Sequence, residues 1–135
     1  MITYRRQVHF HEVDAAGLVF FPHFLTWAHE AMEQLFATLE GGYSGLIGVR
    51  RIGLPAVRVE SEFSAPVRFG DTVAVEASVA RLGNRSLELR YRFLRESDGV
   101  LAAEVRHTVV STDLTQVKST EMPKDVRAVA ETHLE

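Results

Sequence analysis

The chain has 135 residues, 46% hydrophobic and 24% charged, with a formal net charge of -3 and no cysteine. Those figures exclude intrinsic disorder, a basic nucleic-acid footprint, a disulfide framework, a thiolate zinc site and a cysteine nucleophile. A chain of this length exposes about 7,000 Å² when folded, of roughly 22,000 Å² when extended, so residues 1–135 are expected to form one domain around one core, with little protein left to enclose a substrate.

Tyr4 to His11 alternates, with Val8 and Phe10 on one face and Gln7, His9 and His11 on the other, which predicts a half-buried strand. The period then changes. After Pro22, apolar residues fall at Leu25, Ala28, Met32, Leu35, Phe36 and Leu39, one stripe of a 3.6-period helix. Pro22 suits its first turn and Gly41-Gly42 its stop, so a helix of about 19 residues and about 28 Å is expected. From Ala56 to Asp113 the pattern is of strands. Val57, Val59 and Phe63 alternate with Arg58, Glu60 and Glu62; Gly70-Asp71 leads into Val73 to Val79; Gly83-Asn84 leads into Leu87 to Phe93; Ser97-Asp98-Gly99 leads into Leu101 to Ser111. Period-2 runs joined by such turns predict an antiparallel meander. Pro123 opens an amphipathic stretch through Val126, Val129, Ala130 and Leu134, a C-terminal helix.

This order gives an α+β fold, an antiparallel sheet of about five strands wrapped round one long central helix. Its remaining edge is best covered by a second copy of the chain, so a homo-oligomer is expected. The first residues lead into no apolar signal core, and no run of about 18 apolar residues occurs. A soluble cytoplasmic protein without nucleic-acid or membrane partners is the expectation.

The densest stretch of chemistry runs from His11 to Phe24, between the first strand and the helix. A helix N-terminus offers unpaired N–H groups and a positive dipole end, suited to a polarised carbonyl or an oxyanion. Asp14 lies upstream across a turn containing Gly17, and its carboxylate either caps that turn or stands beside the same point. A carboxylate and a polarising N–H at one carbon form a minimal acyl-transfer site.

Asp14-Ala15-Ala16-Gly17-Leu18-Val19-Phe20-Phe21-Pro22, followed by a long helix and a strand meander, resembles the hotdog-fold thioesterases. It is most similar to the 4-hydroxybenzoyl-CoA thioesterase family, whose pattern is Asp-x-x-Gly-hydrophobic-Val-x-aromatic-Pro. The resemblance implies hydrolysis of a small aryl- or short- to medium-chain acyl-CoA to free acid and CoA. It also implies that no metal or added cofactor takes part and that the site lies between the subunits of a homodimer or homotetramer. By position, Asp14 is the catalytic carboxylate, as nucleophile or as base for water, Gly17 is the turn glycine, and the Phe21 N–H polarises the thioester carbonyl. Asn84, Arg85 and Ser86 match the turn that meets the CoA nucleotide, where Arg85 suits phosphate. Pro55 and Ala56 align with a pocket wall. Ala15 stands where the family often has proline, and His29 where the 4-hydroxybenzoyl enzymes have an aspartate facing the substrate phenol.

The six histidines form no i,i+4 pair with a carboxylate of the kind zinc enzymes use, so no metal site is expected. His11 and His23 flank the motif, as surface groups or as residues orienting Asp14, and Trp27 is expected to pack in the core. No Gly-x-Ser-x-Gly elbow supports a serine triad. Two competing readings are a hotdog hydratase or dehydratase acting on an enoyl thioester, and a non-catalytic acyl-thioester binding protein.

Overall fold

Period-2 alternation becomes strand and the 3.6-period stripe becomes helix, in the order read above. The computed structural model describes residues 1–135. Its elements are β1 (Ile2–Gln7), a 3-10 turn (Phe10–Glu12), α1 (Pro22–Leu35), α2 (Gly42–Gly48), β2 (Ile52–Gly53), β3 (Ala56–Phe63), β4 (Thr72–Leu82), β5 (Ser86–Arg95), β6 (Leu101–Val110), β7 (Thr112–Asp113), β8 (Lys118–Ser119) and α3 (Lys124–Thr132). The main sheet has five strands in the order β1-β4-β5-β6-β3, every neighbouring pair antiparallel. β2, β7 and β8 form a small second sheet.

One face of the main sheet carries Val73, Val75, Ala77 and Val79 from β4 and Leu87, Leu89, Tyr91 and Phe93 from β5, all buried. α1 lays Phe24, Trp27, Ala28, Ala31, Met32 and Leu35 onto that face. Each large side chain so buried contributes about 2 kcal/mol, which is why the stripe and the alternation select each other. The outer face is charged, with cross-strand pairs Arg92–Glu76 (3.0 Å), Arg90–Glu104 (2.6 Å) and Arg106–Glu88 (3.2 Å). It is solvated and needs no apolar cover. The exposed area of the folded chain is 7341 Å². This is the hotdog arrangement, a sheet wrapped round a helix.

The structure differs from the sequence pattern in three places, two of them element boundaries. α1 has 14 residues, not about 19. Beyond Leu35 the bonds tighten, with Ala37 N–H donating to Gln34 O (3.1 Å) and Leu39 N–H to Phe36 O (3.2 Å). This turn keeps Phe36 and Leu39 buried, so the apolar stripe outlasts the helix. Gly41, at φ 74, is the N-cap of α2 and not the stop of α1.

The first strand ends at Gln7 because the Glu12 carboxylate takes the His9 N–H (2.7 Å) and coils the chain into a 3-10 turn. Val8 stays buried, but Phe10 swings out to 76% exposure. The third difference is β3, whose eight residues are all exposed because it pairs with β6 on one side and with nothing on the other. The C-terminal stretch is α3, capped by Pro123, with Val126 and Ala130 buried. No helix is long and apolar enough to cross a membrane.

Candidate active site

Residues 13–21 leave the 3-10 turn and return toward the sheet as a tight loop. Val13 bridges Val19, Asp14 N–H donates to Leu18 O (2.8 Å), and Gly17 N–H donates to Asp14 O (2.9 Å). The turn closes because Gly17 adopts φ +77, a conformation costly for a side chain with a Cβ. Asp14 Oδ1 accepts the N–H groups of Ala16 (2.9 Å) and Leu18 (3.3 Å). Asp14 therefore does cap its turn, and it does so with one oxygen. Oδ2 is committed to no group of the chain, and the residue is exposed. The capping and functional readings of this aspartate are compatible.

The loop is pinned on both sides. Val19 N–H donates to Val67 O (2.8 Å) and Phe20 N–H to Glu12 O (2.9 Å). Phe21 is the N-cap of α1, with Pro22 at the first helical position. Its neighbours' N–H groups are spent, since Phe20 serves Glu12, His23 serves Phe20 O (3.0 Å) and Phe24 serves Phe21 O (3.2 Å), while proline has none. The Phe21 N–H donates to no acceptor in the chain. It is the donor that the motif singles out, at the positive end of α1.

Between α1 and the edge strand β3 runs an apolar groove with two hollows. The first, beside the α1 N-terminus, is lined by Leu18, Phe21, Phe24, Phe63, Pro66 and Val67 among others. The second lies farther along α1 and is lined by Leu25, Ala28, His29, Val59, Val105 and His107. Phe24 and Phe63, in edge contact at 5.4 Å between ring centres, both line the first hollow. His29 lines the second hollow. Its Nε2 lies 3.8 Å from Glu33 and its ring 6.0 Å from Tyr43. His107 joins it and was not singled out from the sequence. The signal was there, since His107 interrupts the apolar positions Ala103, Val105 and Val109 on one face of β6.

Pro55, Ala56, Asn84, Arg85 and Ser86 are elsewhere. Val110 N–H bonds Pro55 O (3.2 Å) and Ser111 N–H bonds Arg85 O (2.7 Å), which gathers this set at the end of the sheet where β3 and β5 begin. Phe63, pairing with Ala103, marks the other end, beside the Asp14 loop. The seven steps from Ala56 to Phe63 separate the ends by about 23 Å. One chain therefore does not bring Asp14 and Arg85 together. Arg85 Nη1 bonds Ser119 O (3.2 Å) and Oγ (3.1 Å), and Arg127 Nη2 bonds Gly83 O (2.6 Å), so the turn has a fixed shape.

Behind the loop, Glu12 is buried and accepts from Arg6 Nη1 (3.1 Å) and Nη2 (2.8 Å), from His9 N–H (2.7 Å) and from Trp27 Nε1 (2.9 Å). Burial pushes its carboxyl up, but the His9 N–H, the Trp27 indole and the Arg6 guanidinium together outweigh that and hold it below the ordinary carboxylate value. Trp27 is fully buried, as expected of packing. Donor atoms of His9, His11 and Glu12 lie within 4.8 Å of one another, but the Glu12 oxygens are already committed beside a guanidinium. His11 and His23 pack ring against ring at 6.3 Å, and neither bonds Asp14.

Residues 8–129 match the thioesterase-like superfamily. Over 116 residues the chain is 32% identical to a 1,4-dihydroxy-2-naphthoyl-CoA hydrolase of Synechococcus sp. (strain CC9311), covering 81% of this chain and 76% of the relative. Among solved structures it superposes with TM-score 0.87 on Slr0204, a 1,4-dihydroxy-2-naphthoyl-CoA thioesterase from Synechocystis, at 26% identity over 95% of this chain and 93% of the other. It superposes with TM-score 0.83 on the BH1999 gentisyl-coenzyme A thioesterase, at 29% identity over 96% and 99%.

Proposed function

The chain belongs to the thioesterase-like superfamily and is a CoA-thioester hydrolase, and we propose that it opens an aroyl-CoA at Asp14, in a site shared by two copies of the chain. The observation that carries this is a Phe21 N–H with no acceptor in the chain, on the wall of an apolar, aromatic-lined hollow, in the same loop as an Asp14 carboxylate with one oxygen uncommitted. The Phe21 N–H polarises the thioester carbonyl and holds the developing oxyanion, helped by the α1 dipole. Asp14 Oδ2 attacks the carbonyl carbon itself or takes a proton from the attacking water. Both routes use the same oxygen, held in place by the two N–H bonds to Oδ1. The thiolate of CoA departs in both routes. In the first it leaves a mixed anhydride on Asp14, which water hydrolyses to the free acid and the regenerated carboxylate. In the second, water supplies the acid oxygen directly, and no metal or further cofactor enters either route.

An aroyl group is favoured over an aliphatic chain because Phe21, Phe24 and Phe63 meet edge to face along the groove. The 4-hydroxybenzoyl specificity of the family first resembled is one member of that class. The relatives' named acyl groups, 1,4-dihydroxy-2-naphthoyl and gentisyl, are others.

The second copy follows from the sheet edge. β3 offers an unpaired row of backbone groups, with Val57 63% and Phe63 48% exposed. Antiparallel pairing of two β3 strands about a two-fold axis sets the beginning of one strand beside the end of the other. The Asn84-Arg85-Ser86 turn of one copy then approaches the Asp14 loop of its mate, where a CoA phosphate would lie. A homodimer, alone or doubled into a tetramer, is the proposed active form, working in the cytoplasm where its CoA substrates are.

The test is thiol release across aroyl-CoA and chain-length-graded acyl-CoA substrates. Asp14→Asn should lower kcat by about 10²- to 10⁴-fold while KM stays nearly constant. Near-normal turnover of that variant removes Asp14 from the chemistry.

A further inference from the structure

The second hollow of the groove carries a polar device that thioester cleavage does not use. Tyr91 is fully buried, and its hydroxyl lies 3.2 Å from His107 Nδ1. It has no other partner in the chain. Burial pushes the phenol well above its ordinary range, so it keeps its proton. A buried hydroxyl proton without an acceptor is costly, so Tyr91 donates and His107 Nδ1 accepts. Burial first, and His29 second, hold the His107 imidazolium down, leaving a neutral ring with its one proton on Nε2. This tautomer is assigned from the bonding pattern. Nε2 has no partner in the chain, and His107 lines the hollow.

A histidine that served only the core would be out of place here. Its neighbours on this face of β6, Val105 and Val109, are buried and apolar, and an apolar residue at 107 together with phenylalanine at 91 would fill the same space with no polar group to desolvate. Position along α1 supplies the rest. From Phe21 to Ala28 and His29 the helix rises about 10–12 Å. A group whose carbonyl meets the Phe21 N–H and whose body follows the groove therefore reaches His107 with its far end.

We infer that His107, its tautomer fixed by Tyr91, is a specificity residue, selecting aroyl groups that carry an acceptor oxygen at the end remote from the thioester. The inference rests on the aroyl-CoA reading above. His107 Nε2–H donates to that oxygen; Tyr91 is a positioning residue that acts through the ring.

The measurement is the ratio of kcat/KM for 6-hydroxy-2-naphthoyl-CoA to that for 2-naphthoyl-CoA, which differ in that oxygen alone. In the wild type the ratio should be on the order of tenfold or more. His107→Leu should bring it near one, through a larger loss on the hydroxylated substrate than on 2-naphthoyl-CoA; His107→Gln, which keeps a donor, should restore part of it; Tyr91→Phe should lower it with the imidazole still present. His107→Met, also without a donor, serves if the leucine variant does not fold. An unchanged ratio in these variants, or equal losses on both substrates in His107→Leu and His107→Met, assigns His107 to structure and overturns the inference. A wild type that cleaves both naphthoyl thioesters equally overturns it alone. A wild type that cleaves straight-chain acyl-CoA and no naphthoyl thioester overturns the aroyl reading as well.

Discussion

Removing the charge of Glu12 weakens the acceptor shared by Arg6, the Trp27 indole and the His9 N–H, and leaves Arg6 with Gln7 O (2.6 Å) and Glu30 (3.3 Å). Arg6 is itself mostly buried, its side chain 14% exposed, so water does not make good the loss. Breaking a buried pair from one side costs about 3–5 kcal/mol when the other charge is left unpaired. Glu12→Gln, which keeps one acceptor oxygen while Arg6 keeps Glu30, should fall below that range, at about 2 kcal/mol by urea denaturation. The pH dependence has a definite sign. The folded carboxyl titrates below its ordinary value of 4.5, so the unfolded chain takes up the proton first. The contribution of Glu12 is complete above the ordinary value and is lost as pH falls through the lower folded one. Urea midpoints of the wild type should therefore drop across that window, and Glu12→Gln should flatten the drop. An equally steep acid limb in the variant would assign the effect to other carboxylates.

At the scale of the element, the Asp14 loop depends on one backbone angle. A methyl group at Gly17 meets nothing within 4 Å, so the cost of Gly17→Ala comes from φ +77 alone. That cost is about 1 kcal/mol, or about 4 °C in Tm for a chain of this size. Relief of the strain would unseat the N–H groups that hold Asp14 Oδ1. The larger effect is therefore expected on kcat, with KM little changed, and thermal melting beside steady-state kinetics separates the two. Sequence pattern reveals such loops because glycine and aspartate punctuate the chain, and it reveals β4, β5 and β6 because their alternation reports burial within one chain. It overextends α1 because Phe36 and Leu39 stay in the core after the helix has turned. It misses the exposure of β3 because Val57, Val59 and Phe63 alternate as a strand whether a helix or a second copy covers them. His107 was legible only as a polar interruption of an apolar face, a signal that acquires meaning once Tyr91 and His29 stand beside it.

For the whole molecule, a chain with a single core of this size has no second wall to close over a substrate. The strand directions supply a solution, since Asp14 and Arg85 lie at opposite ends of a sheet whose edge strand is unpaired. If each site takes its carboxylate from one copy and its phosphate-binding turn from the other, two defective chains can complement each other. Asp14→Asn removes the chemistry, and Arg85→Glu repels the CoA phosphates, so each homodimer should be impaired at substrate concentrations well below KM. In a mixed dimer one site receives both substitutions and the other receives neither. Random mixing makes half the dimers mixed, with one intact site of two, so about a quarter of wild-type kcat/KM should return after the two variants are unfolded and refolded together. Sites built within a single chain would each keep one defect, and mixing would recover nothing. Recovery near a quarter, in a sample that sediments as a dimer or tetramer, would establish that the catalytic unit is two chains; activity no higher than the mean of the separate variants would return the CoA turn and the Asp14 loop to independent roles.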